Sequence, residues 1–212
     1  MAPPINRLHG IALPLLRDNV NTDELIPVFE NTRASATGWG DGLFAAQRYL
    51  DGLGHTPDPA FILNRPPFDH ASILISGANF GCGSSRESAV WALRDFGFRV
   101  IAAASFNETF RRNCIVNGLA PVVIARVDAE GLTAELGADP RPGVSVDLKA
   151  GRLWVGVKIP AAGGIGFVLD PFYRTLLTTG LTEDALLAQV QTDIDARLEA
   201  VRHKNPWLVA GA

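Results

Sequence analysis

From Ser72 to Ala125 the chain alternates short apolar runs with helical stretches, and no other feature restricts its fold as strongly. Ser72–Ser76 is apolar, β-branched and flanked by turn residues, the pattern of a buried strand. Ser85–Phe96 reads as a helix and Arg99–Ala103 as a strand. Phe106–Asn117 reads as a second helix, stopped by Asn117-Gly118, and Pro121–Ala125 as a third strand. Such alternation predicts an α/β layered core with parallel strands, because a parallel return needs a crossover long enough to hold a helix. Before it, Ile11–Leu16 reads as a first strand, Thr22–Leu25 as a short helical turn closed by Pro27, and Gly42–Leu50 as a helix. After it, Val144–Val168 breaks into short strand-like runs with turns, as hairpins do. Leu176-Leu177 and Thr182–His203 read as closing helices. Ala185, Leu186, Val190, Ile194 and Leu198 recur there at helical spacing, which predicts a face packed inward. A length of 212 residues suits one domain, with about 1–170 as α/β core and about 171–212 as a helical extension.

Composition narrows the function classes. Hydrophobic residues make up 47% and charged residues 19%, which is globular and not disordered. The net charge of -3 and the lack of a basic stripe argue against a nucleic-acid partner. The apolar run Ile11–Leu16 is far too short to span a bilayer and lacks the charged lead of a signal peptide, so no membrane role is expected. Two cysteines, Cys82 and Cys114, are too few for a disulfide framework, and the expected setting is cytoplasmic with reduced thiols. They are also too few to hold an iron–sulfur cluster, which takes up to four thiolates. His9, His55, His70 and His203 show no metal-ligand spacing.

The chemistry concentrates in Asn79-Phe80-Gly81-Cys82-Gly83-Ser84-Ser85-Arg86-Glu87, between a buried strand and a helix. Gly81 and Gly83 permit a tight turn and the close approach of a ligand. Ser84 through Glu87 fits a capping box, serine at the cap and glutamate three residues on. A helix N-terminus offers unpaired N–H groups and a positive dipole end to a carboxylate or phosphate, and Arg86 adds a fork for bidentate carboxylate binding. A purely structural turn fits the same residues about as well. The segment is neither a Walker A loop, since no Gly-Lys-Ser/Thr follows, nor a dinucleotide fingerprint, since the third glycine is missing. Residues alone thus give a small-anion site at a strand–helix turn.

That segment resembles the signature of the aconitase-superfamily swivel domain, and most closely the small subunits of bacterial 3-isopropylmalate dehydratase. The likeness extends over nearly the whole chain. Asp18 through Pro27 is similar to the family's early Asn-Val-Asp-Thr-Asp segment ending in Ile-Pro. Ser105-Phe106, Asn113-Cys114, Asn117-Gly118-Leu119 and Pro121 resemble the stretch after the signature. Leu169-Asp170-Pro171-Phe172 and Pro206-Trp207-Leu208 resemble its C-terminal landmarks. The resemblance implies a swivel-type α/β fold with a mixed, partly parallel sheet flanked by helices, plus C-terminal helices. It implies a hydro-lyase half-site, inactive alone, that binds no cofactor itself. A large subunit carries the [4Fe-4S] cluster, and together they interconvert 2- and 3-isopropylmalate.

By motif, Ser84 matches the serine alkoxide that takes a proton from carbon, and Arg86 the arginine that grips a substrate carboxylate. Ser85, Thr22 and Asp23 match residues lining the same cavity, with the backbone of Gly81, Cys82 and Gly83 forming the anion turn. Asp23 reads equally as a helix cap. Val28–Thr37 occupies the place of the substrate-discriminating loop, and Arg33 there is either a second carboxylate ligand or a solvated surface residue. Cys82 reads as a packing or redox-sensitive residue, and Cys114 as buried. Three departures leave the substrate side chain open: Ser88 where histidine is usual, Asn21 where aspartate is usual, and a shortened loop after Pro27. The alternatives are a sister hydro-lyase acting on methylmalate, citraconate or dimethylmalate, and a non-catalytic small-anion-binding domain. An RNA-binding side role is disfavoured by the missing basic patch. The Ser84 face is expected to be open in the lone chain, with Arg86 partly exposed.

Overall fold

The computed structural model describes residues 3–32, 38–51, 55–84, 86–160 and 163–204. Its strands fall into two four-stranded sheets. The first holds β2 (Ala12–Leu15), β3 (Ile73–Ser76), β4 (Val100–Ala103) and β5 (Ala120–Val123), parallel throughout and in chain order. The second holds β1 (Arg7–Gly10), β6 (Val144–Asp147), β7 (Arg152–Val155) and β8 (Ile165–Gly166), antiparallel throughout. The α/β class holds, with the parallel and antiparallel strands divided between two sheets and joined by the Val123–Val168 bridge.

The parallel sheet is buried on both faces, which is why β3 and β4 are continuous apolar runs. Successive side chains of a strand point to opposite faces. Leu74, Ile101 and Ala103 therefore enter one core with Phe44, Phe80, Phe98 and Phe110. Ile73, Ile75, Val100 and Ala102 enter a second core against Val144, Val146 and Leu153 of the antiparallel sheet. Helices α3 (Glu87–Phe96) and α4 (Glu108–Val116) cover the first face. Helix α5 (Arg126–Ala138) covers the second through Ala129, Leu132 and Leu136, and α6 (Pro171–Thr179) joins it through Leu176 and Leu177.

Several expectations are corrected. The first strand is confined to Ala12–Leu15 and is preceded by β1, a half-exposed edge strand defined only by its pairing with β6. The helix expected over Gly42–Leu50 shrinks to α2 (Ala45–Arg48), because Tyr49 turns extended and bridges Pro57. Helix α5 has no counterpart in the sequence reading, its Ala129/Leu132/Leu136 periodicity being interrupted by Gly131 and Gly137. The helix expected from Ser85 begins at Glu87. The last helix, α7 (Glu183–Lys204), does not pack a face inward: it has no buried residue, and only Leu186 touches a core. The short helix α1 (Thr22–Leu25) stands where expected.

Candidate functional site

Parallel pairing of β2 with β3 puts the loops that leave their C-terminal ends side by side, the usual location of a ligand site in an α/β sheet. One loop carries residues 16–21 into α1, and the other carries 77–86 into α3. Backbone bonds stitch them together: Gly81 N–H donates to Val20 O at 2.8 Å, Thr22 N–H to Cys82 O at 2.9 Å, and Asn19 N–H to Ala78 O at 2.9 Å. The loop after β4 closes the group, with Phe80 N–H donating to Ser105 O at 3.0 Å and Asn107 N–H to Phe80 O at 3.0 Å.

Two asparagines hold this crossing. Asn19 and Asn79 both adopt the left-handed conformation, φ 56°, which asparagine tolerates better than most residues. Asn79 Nδ2 donates to Asn19 Oδ1 at 2.8 Å, and Asn79 N–H donates to Ser105 Oγ at 2.8 Å. Asp18 ties the same loops to α5: its Oδ1 accepts from Ala78 N–H at 2.7 Å and from Arg126. The Arg126 guanidinium, then the Ala78 N–H, hold the Asp18 carboxyl below the usual aspartate range. Sequence reasoning placed Asp18, Asn19, Asn79 and Ser105 in its motifs but gave none of them a role at the site. Asparagines and an aspartate at loop positions after strands were the available signal.

At the turn itself, Gly81 has φ 76°, and a Cβ there would collide with the Phe110 ring, so only glycine fits. Ser84 is exposed beside it. The capping box is not formed. Arg86 is the N-cap of α3, with extended backbone and no side-chain cap bond. Glu87 instead accepts from Asn117 Nδ2 at 3.0 Å, so its carboxylate serves α3–α4 packing and not the serine. Among the described residues no side chain caps the first-turn N–H groups of α3, which suits an incoming anion.

Arg86 Nη2 lies 2.8 Å from Asp23 Oδ1, with the arginine side chain 27% exposed. Asp23 is not the cap of α1: Asn21 is, accepting from Asp23 N–H at 2.6 Å and Glu24 N–H at 3.1 Å. An aspartate would cap in the same way, so the Asn21 departure is absorbed structurally. Asp23 is left to orient the Arg86 fork, whose other donors remain for a carboxylate. Thr22 is fully buried, and its hydroxyl has no hydrogen-bond partner among the described residues; a Cβ on Gly83 would sit 3.3 Å from it.

Cys82 is half-buried, with Sγ 3.3 Å from Asn19 O, and Cys114 is buried in the first core, where desolvation pushes its thiol well up. Ser85 and Arg33 lie outside the described residues, as does Pro206-Trp207-Leu208. Ahead of Arg33, in the 3-10 turn Val28–Thr32, Glu30 is buried and meets His55 Nε2 at 2.7 Å, with Tyr49 stacked on the imidazole. A cavity of about 250 Å³ between α4, α6 and the start of α7 contains none of these residues. The candidate site is thus an open surface turn with a serine, an arginine, a helix N-terminus and an unpaired buried hydroxyl. Among the described residues no cluster of three or more His, Cys, Asp or Glu could hold a metal.

The aconitase C-terminal domain family matches residues 2–127. The 3-isopropylmalate dehydratase small subunit of Cupriavidus necator is 44% identical over 206 residues, 97% of this chain and 97% of that protein. The small subunit of Sinorhizobium fredii is 39% identical, over 95% of this chain and 97% of that protein. The crystal structure of 3-isopropylmalate dehydratase (leuD) from Methanocaldococcus jannaschii shares the fold at a TM-score of 0.58 and 24% identity, covering 90% of this chain and 99% of that one.

Proposed function

Because the chain belongs to the 3-isopropylmalate dehydratase small subunits, built on the aconitase C-terminal domain, we propose that it is the half of that hydro-lyase which brings the Ser84 turn to the substrate. The reaction is the dehydration of 2-isopropylmalate and rehydration to 3-isopropylmalate in leucine biosynthesis, carried out beside a large subunit. A [4Fe-4S] cluster on that partner supplies, when bound, a Lewis acid for the hydroxyl that leaves.

The observation that carries the reading is the exposed Ser84 hydroxyl between a glycine turn and the open N-terminus of α3. As an alkoxide, Ser84 takes the proton from the carbon next to the one that loses hydroxide. The elements of water return with the hydroxyl and proton exchanged between the two carbons. The α3 N-terminus and Arg86 favour the serine anion, since both are positive where charge develops. Arg86 grips a substrate carboxylate while Asp23 holds its fork, so Asp23 acts on substrate through Arg86. Thr22 offers its unpaired hydroxyl at the floor of the turn, and the Gly81, Cys82 and Gly83 backbone lets the substrate come close. Ser85 and Arg33 complete the substrate contacts in this reading. No helix among the described residues is long and apolar enough to cross a membrane, and we place the enzyme in the cytoplasm, where its thiols stay reduced.

Reconstitution tests it. The chain is co-expressed anaerobically with the large subunit, and isopropylmaleate absorbance is followed from 3-isopropylmalate. Turnover is expected only with both chains, and Ser84→Ala should lower kcat by about 10²–10⁴-fold. Retained turnover in Ser84→Ala removes the serine as base. Turnover of a methylated malate alone moves the protein to a sister hydro-lyase.

A further inference from the structure

Ser84 ends a segment that holds itself in place poorly. Left-handed backbone recurs at every second residue ahead of it, at Asn79 (φ 56°), Gly81 (φ 76°) and Gly83 (φ 94°). Two of these three are glycines, which enter that conformation freely and leave it as freely. Ser84 itself is exposed. A group that must meet one proton on one carbon tolerates little misplacement, since an error of about 1 Å costs on the order of 100-fold in rate. What fixes the serine has to come from outside its own segment.

Asn19 supplies it. Its N–H donates to Ala78 O at 2.9 Å, its C=O accepts from Cys82 Sγ at 3.3 Å, and its Oδ1 accepts from Asn79 Nδ2 at 2.8 Å. Three polar groups of one residue thus grip the segment that leads to Ser84. On either side of Asn19, Asp18 Oδ1 accepts from Ala78 N–H and Val20 O accepts from Gly81 N–H, and Arg126 ties Asp18 to α5. Asn79 is held from its other side as well, its N–H donating to Ser105 Oγ at 2.8 Å. The Asn19–Asn79 bond lies at the exposed surface, where a neutral hydrogen bond adds little to folding. It nonetheless joins two residues that both stand in a left-handed conformation most side chains avoid. Backbone outliers of this kind persist where their surroundings over-determine them, and they cluster at functional sites. We propose that the Asn19–Asn79 pair positions the Ser84 hydroxyl for proton transfer. Both amides act through the backbone of residues 79–84 and not on the reacting atoms, so they are positioning residues. The inference rests on the reading of Ser84 as the base.

Steady-state kinetics of the two-chain enzyme with 3-isopropylmalate tests it. Asn19→Gly and Asn79→Gly keep the left-handed backbone accessible and remove the side-chain tie. Each should lower kcat by about 10- to 100-fold. KM should stay within about 3-fold of wild type, and binding of the large subunit should not change. The double variant should lose no more than either single one, as two halves of one interaction do. Asn19→Asp keeps an oxygen that accepts from Asn79 Nδ2, and it should recover most of the kcat that Asn19→Gly loses. Wild-type kcat in both glycine variants overturns the proposal. So does a loss in the double variant equal to the product of the two single losses. A fall in kcat matched by an equal fall in large-subunit binding also overturns it, by making the pair a structural tie. Ser84→Ala measured alongside separates two failures. Full turnover there overturns the serine as base, whereas loss there with wild-type kcat in the glycine variants overturns only the role of the asparagines.

Discussion

Thr22 holds the fold through its backbone and, in the proposed function, meets substrate through its side chain. Its backbone N–H joins the two site loops, while its hydroxyl is fully buried without a partner. A buried unpaired polar group costs about 1–3 kcal/mol. Thr22→Val keeps the shape and removes the orphaned oxygen. The free chain should then melt at the wild-type temperature or higher, by up to about 1 kcal/mol, while reconstituted turnover falls. A lower melting temperature would mean that the hydroxyl is structural. Sequence pattern had pointed to Thr22 through family likeness, but its place depends on Cys82, sixty residues away in the chain, whose carbonyl accepts from Thr22 N–H. The same holds for Ser84: its glycine neighbours announce a turn, whereas Arg86 is the N-cap of α3 and Glu87 accepts from Asn117, thirty residues on.

Among the elements, α5 and the Asp18 crossing make the sharpest predictions. Gly131 and Gly137 lie inside α5, and a Cβ on either would meet nothing within 4 Å. Gly131→Ala should therefore raise stability by about 0.5–1 kcal/mol, read from urea unfolding; a loss would reveal a contact that the helix needs. The Asp18 carboxyl joins the β3 loop to α5, and its folded pKa is depressed by Arg126 and Ala78. A depressed folded value means stability that is fully present above the unfolded value, about 3.9, and lost as pH falls through the folded one. The chain should thus lose stability in acid below about pH 4, and Asp18→Asn should show a shallower loss over that window. Identical acid profiles for the two proteins would show that the crossing does not depend on this carboxylate. The strand–helix alternation over β3 to β5 was legible because each parallel strand is apolar on both faces. Helix α5 was not, because its glycines and small buried side chains weaken the periodic signal.

At the scale of the whole molecule, the parallel sheet stands between two cores, and α7 lies outside both. Stopping the chain after Leu186 removes no buried side chain among the described residues of that helix. The melting temperature should then shift by less than about 2 °C, with far-UV circular dichroism falling by the helix removed. A larger drop would place α7 in the folded body. In the proposed function the open turn at the C-terminal ends of β2 and β3 fits the need for a large subunit, because among the described residues Ser84 stands exposed on the surface.

What the sequence by itself determined is local. Apolar runs specify β3 and β4, glycines specify the turn at Gly81, and a long ordered likeness specifies the family, because each is written in neighbouring residues. The tertiary structure alone decided which loops meet, which residue caps α3, that Thr22 is buried, and that α7 has no buried residue. Each of these depends on residues distant in the chain, where pairing register and competition for hydrogen-bond partners, and not local propensity, set the outcome.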